Sequence, residues 1–138
     1  MTKKYFTLEE ANLLLPSVDQ ELRTLQGLKR QFEDKYLELR RQKEVHTHPL
    51  GESEQDPFFM LEAELEFLQI EARNHIQGFY RKGVELKDID IGLVDFPAEL
   101  SGEEVLLCWR QGEEKISYYH SRNDGFAGRK PLPGEELQ

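Results

Sequence analysis

At 138 residues the chain has the length of one ordinary domain, and 38% hydrophobic against 33% charged residues describes an elongated soluble protein rather than a compact, apolar-cored enzyme. A net charge of -9 repels phosphate backbones and argues against nucleic acid as a partner, while a single Cys excludes an internal disulfide. No stretch reaches the ~20 apolar residues of a membrane helix, and the amino terminus lacks a signal-peptide run, so a cytoplasmic protein without a membrane partner is expected.

Thr7 followed three residues later by Glu10 reads as a capping box, with Phe6 placed as a hydrophobic staple, so a short helix begins there. Pro16 disfavours helical geometry at Leu15 but suits a first turn, which predicts a bend between Leu14 and Pro16 and a fresh start. From Pro16 the apolar residues Val18, Leu22, Leu25, Leu28, Phe32, Tyr36 and Leu39 step by three and four along one long helix to about Val45. The segment "HTHPLGESEQDP" breaks that period and reads as a hairpin tip, with Asp56 and Pro57 as cap and first turn of the next helix. Leu61, Leu65, Leu68, Ala72, Ile76 and Phe79 then repeat the spacing up to Gly83, so a second helix returns along the first in a coiled-coil-like hairpin.

Charge placement agrees with antiparallel pairing. Lys35, Arg40, Arg41 and Lys43 end the first helix, and Asp56, Glu62, Glu64 and Glu66 begin the second, so folding sets them side by side. The basic run is therefore read as a face paired with its neighbour rather than a phosphate or membrane patch. His46 and His48 at the tip lack a third ligand and are read as exposed polar residues.

Beyond Gly83 the period changes to that of strands. "IDIGLVDFP", "EVLLCWR" and "KISYYH" predict a three-stranded antiparallel meander with Gly102 and Gly112 at its connections, hence an α+β fold. One domain is expected, with residues 1–83 as helical hairpin, 84–132 as meander and 133–138 as a loose tail. If Arg110 pairs with Lys115, then Val105, Leu107 and Trp109 share the core face with Ile116, Tyr118 and His120, and Cys108 points the other way. That register separates Cys108 from His120, argues geometrically against a Cys-His nucleophile pair, and leaves Cys108 as a packing residue.

Three stretches carry a family likeness: "YFTLEEANLLLP", "GLVDFP", and "LLCWRQGEEKISYYH" running into "GFAGRKPL". In them the chain resembles a family of small bacterial proteins known as domain of unknown function 2203, over nearly its whole length. The resemblance implies a bacterial, intracellular protein and brings no reaction, ligand or catalytic residue with it.

Chemistry must then be argued from side chains. Glu71 and His75 lie four apart on the second helix, and Asp95, His120 and Asp124 lie at or after strand ends, which makes them the candidates for a polar pocket or a zinc or iron site where that helix meets the sheet. In that arrangement His75 and His120 are the metal-ligating pair, although no recognised ligand spacing is present, and a metal-binding protein or metal-dependent enzyme is the alternative function. Gly125, Gly128 and Arg129 offer a second candidate, an anion-binding turn, set against an ordinary turn in which Arg129 pairs with a carboxylate. The leading expectation is a non-catalytic binding or assembly module, with a homo-oligomer or protein partner gathered by apolar residues off the main stripes, Leu13, Leu37, Phe58, Phe59 and Phe67.

Overall fold

The computed structural model describes residues 4–46 and 56–133. His48 and most of the carboxyl-terminal tail lie outside the described residues. Helix α1 spans Leu8–Val45 and opens on the capping box: the Thr7 hydroxyl accepts from the Glu10 amide at 3.0 Å, and the Glu10 carboxylate accepts from the Thr7 amide at 2.8 Å. Its 38 residues correspond to about 57 Å.

The expected bend at Pro16 is absent, because α1 runs through that residue as one helix. Proline there removes the bond to the Asn12 carbonyl, a change that typically costs about 3 kcal/mol in a helix interior. Ala11 and Leu15 before it, and Val18 and Leu22 after it, are buried in the same core, so tertiary packing holds one helical phase across the defect.

Helix α2, Phe59–Arg81, starts slightly later than the Asp56-Pro57 signal implies. Asp56 still acts as the organiser of the entry, its carboxylate accepting from the Phe58 amide at 2.9 Å. At the other end Gly83, at φ +85°, closes the helix: its amide donates to Tyr80 and the Val84 amide to Phe79, which satisfies two terminal carbonyls. Leu28, Leu39, Leu65 and Leu68 are buried in the helical hairpin, and Lys35 with Glu64 and Lys43 with Glu62 pair alongside.

The sheet has five antiparallel strands in sequential order rather than three: β1 Glu85–Asp88, β2 Leu93–Leu100, β3 Glu103–Arg110, β4 Tyr118–His120 and β5 Lys130–Pro131. The outer two are short, and the β1–β2 ladder is interrupted by a register shift between Leu86 and Asp88. Ser101 (φ +53°) and Gly102 (φ +81°) form the two-residue connection that pairs Leu100 with Glu103, and so fixes the whole β2–β3 register.

Pro97 sits in the middle of β2 without cost for a simple reason. Its carbonyl accepts from the Phe6 amide at 2.7 Å and so points away from β3, where β1 has already ended; the missing N–H lies on that same side. One face of the sheet packs on the helices, with Val94, Phe96, Val105, Leu107, Trp109 and Ile116 joining Leu15, Val18, Leu22, Leu25 and Phe79 in one core. Phe6 meets Phe96 edge-on, with ring centroids 5.4 Å apart.

Polar ties from α1 to the sheet side run from Asn12, which accepts from the Ile116 amide, through Asp19 and Gln26 to the Lys29–Asp90 ion pair. The rest of the hairpin, residues 30–46 with 56–71, relies on its own seam.

Candidate functional site

The β3–β4 register differs from expectation by one residue, and the consequence is chemical. Leu106 pairs with His120, Leu107 with Tyr119 and Cys108 with Tyr118. The chain does not continue as a tight ladder after Arg110: the Glu113 amide turns back to the Arg110 carbonyl, and the Ile116 amide is taken by Asn12. A single-residue shift reverses every side chain of β4, so His120 lies on the same face as Cys108 and Tyr119 turns toward the core.

On this outer face Asp95 is opposite Cys108, and His120 reaches in diagonally from beside Leu106. The Nε2 atom of His120 is 2.9 Å from the Asp95 carboxylate, and its Nδ1 is 2.7 Å from the Ser121 carbonyl. One ligating atom from each of Asp95, Cys108 and His120 lies within 4.8 Å of the other two, and all three residues are at most 3% exposed.

Neither α1 nor α2 covers this face. The segment after β4 folds back over it instead, pinned by two arginines. Arg122 bridges Glu85 on β1 and Glu104 on β3, and Arg129 lies 4.0 Å over the Tyr118 ring and 4.6 Å from the Phe126 ring while pairing with Glu113 at 3.0 Å. Gly125 takes a positive φ of 66° in this roof, and Gly128 is required for closeness, since a Cβ there would stand 2.7 Å from the Asp124 Cβ.

The hydrogen bonds constrain the protons of the cluster. A carbonyl oxygen only accepts, so Nδ1 of His120 carries a hydrogen, and one further proton is shared between Nε2 and Asp95. Imidazolium with carboxylate, or neutral imidazole with carboxylic acid, both give zero net charge. Burial pushes the Asp95 carboxyl above its ordinary range, with the His120 interaction opposing that rise. The Cys108 thiol is pushed up to about 12, chiefly by burial and then by the neighbouring Asp95 charge.

A thiol held protonated, beside an imidazole whose two nitrogens are both engaged, is not an activated nucleophile. What the arrangement offers is an S, N, O donor set from three adjacent strands.

The sequence candidates fall into separate places. Asp95 and His120 meet, joined by Cys108, which the expected register separates from His120. His75 instead bonds Glu21 of α1 at 2.9 Å, and Glu71 lies along a groove between the helices, so neither is in the cluster. Asp124 is exposed in the roof turn. Arg129 is occupied by Glu113 and two aromatic rings, which leaves the Gly125–Arg129 turn as a cover rather than an open anion cradle. The signal for Cys108 was available in the two-residue Ser101-Gly102 connection, which places Asp95 opposite it.

No helix is long and apolar enough to cross a membrane. No curated protein and no solved structure matches the chain significantly. The chain belongs to the family described as Uncharacterized conserved protein (DUF2203), whose profile matches residues 4–132.

Proposed function

We propose that this family member is a non-catalytic assembly module that dimerises through the outer side of its helical hairpin. The observation that carries the reading is the apolar surface of α2. Met60, Phe67 and Ile70 recur at helical spacing and remain 67%, 60% and 47% exposed, and Tyr36 and Leu37 of α1 are exposed as well. Among the described residues, most of the exposed large hydrophobic side chains lie on this projecting half of the hairpin rather than around the sheet.

Two helices alone cannot enclose a core, and a second hairpin laid across the first completes a four-helix arrangement. A second copy suits the charges, because α2 carries Glu62, Glu64 and Glu66 in its first half and Arg73 and Arg81, with Glu71, in its second. An antiparallel crossing of two such helices sets acidic halves against basic ones. Carried along the whole of α2, about 35 Å, and about 20 Å wide, such a contact presents about 700 Å², close to the ~800 Å² per partner of a stable interface. Between the helices, Gln31, Lys35, Met60, Glu64, Phe67 and Glu71 line an open groove of about 360 Å³ that can receive a partner's apolar side chain.

Sedimentation velocity at increasing protein concentration tests this. The parent chain is expected to be a dimer at tens of micromolar. Phe67→Glu together with Ile70→Glu should yield a monomer with unchanged helix content, since both positions are exposed in the single chain. A parent that stays monomeric, or a double variant that stays dimeric, overturns the proposal.

A further inference from the structure

We infer that Asp95, Cys108 and His120 form a binding site for one divalent transition-metal ion, with zinc the best match, on the sheet face turned away from the helices. This is independent of the dimer.

Donor chemistry is the first argument. Imidazole nitrogen, thiolate sulfur and carboxylate oxygen are the three ligand types zinc accepts, and here each comes from a different strand of a rigid sheet. Geometry is the second. Ligand atoms around a tetrahedral zinc stand about 3.3 to 3.8 Å apart, given bonds of about 2.0 to 2.3 Å. The present spacings, from the 2.9 Å His120–Asp95 contact up to the 4.8 Å limit for the set, bracket that range. Small side-chain rotations therefore suffice.

Orientation is the third argument. The Ser121 carbonyl holds the Nδ1–H of His120, which presents Nε2 toward the other two donors, as a second-sphere acceptor does for a metal-bound histidine. Charge balance is the fourth. Thiolate, carboxylate and neutral imidazole around M²⁺ sum to zero, and forming that set releases the protons those ligands carried. Such neutrality matters in a place shut off from water. Three protein ligands leave one tetrahedral position open.

Cobalt substitution of the full chain is the test, because the protein has a single Cys and a cobalt–thiolate charge-transfer band can arise only from Cys108. Protein grown with cobalt, and apo protein titrated with Co²⁺, should both show that band at one ion per chain, with Zn²⁺ displacing the cobalt and bleaching it. Cys108→Ser should abolish the band, and His120→Asn should weaken binding at least ~10-fold. A His46→Asn, His75→Asn double variant, which removes two histidines outside the cluster, should keep the band and the stoichiometry. Circular dichroism establishes that each variant is folded. A folded parent chain that takes up cobalt without a thiolate band, or takes up none by either route, overturns the inference. So does zinc stabilisation against heat that survives Cys108→Ser unchanged.

Discussion

Replacing Arg122 by Ala removes one of the two pins that hold the roof over the outer sheet face. Arg122 donates two bonds to Glu85, at 2.9 and 3.1 Å, and one to Glu104 at 3.1 Å. Its guanidinium is the main reason that Glu85 titrates at about 2 instead of 4.5, with Lys87 contributing less. For a group isolated from solvent that displacement corresponds to about 3 kcal/mol. Arg122 is 42% exposed, however, and Lys87 remains beside Glu85 in the variant, so solvent screening and the residual pair reduce the expected loss to about 1 to 1.5 kcal/mol at pH 7.

The pH dependence has a definite sign. The folded-state pKa is depressed, so this stability is fully present above the unfolded value of 4.5 and is lost as pH falls through about 2. Between pH 7 and pH 3 the difference between parent and variant should shrink measurably, and by pH 2 most of it should be gone. Urea unfolding measures it: with a slope of about 1.5 to 2 kcal/mol per molar for a chain of this size, the variant's midpoint should fall by about 0.7 M at pH 7. An identical difference at pH 7 and pH 3 would refute an electrostatic origin, and a midpoint within error of the parent at pH 7 would refute the pin itself.

Leu22→Ala, at a fully buried position between sheet and hairpin, should cost about 2 to 5 kcal/mol in the same assay. Asn12→Ala strips the Ile116 amide of its acceptor and should cost about 1 to 3 kcal/mol, whereas Asn12→Asp, which keeps an oxygen there, should cost less in thermal melts. Cys108, buried and with its thiol pushed up to about 12, should resist an aromatic disulfide reagent at pH 8 in the native metal-free chain and react with one equivalent on unfolding; rapid native labelling would contradict the closed site.

The helical half was readable because its information is periodic and local. Leu22, Leu25 and Leu28 declare their face by spacing, and Thr7 with Glu10 and Gly83 declare the two ends. Pro16 misled for the converse reason, since its local preference was outweighed by core contacts remote in sequence. Strands β1 and β5 escaped notice because four and two residues are too few to display alternation, and both exist by pairing with longer neighbours. The candidate site was half visible: Asp95 and His120 were singled out, but their meeting depends on a register set by an irregular connection in which Asn12, a hundred residues earlier, holds Ile116. His75 pointed elsewhere because Glu21 on the facing helix is its nearer partner.

The short outer strands have a consequence for how copies of this protein meet. A sheet with open, regular margins invites another chain to extend it, and β2 and β3, the two long apolar strands, would be dangerous if either lay at a margin. Here both are interior in the strand order, and where β1 ends short of Pro97 the Phe6 amide takes the free carbonyl. One margin is a four-residue strand with a displaced register and an exposed lysine, and the other is two residues long and ends in a proline that has no hydrogen to offer. Neither margin offers a long, regular template, so the β half is guarded against runaway strand addition.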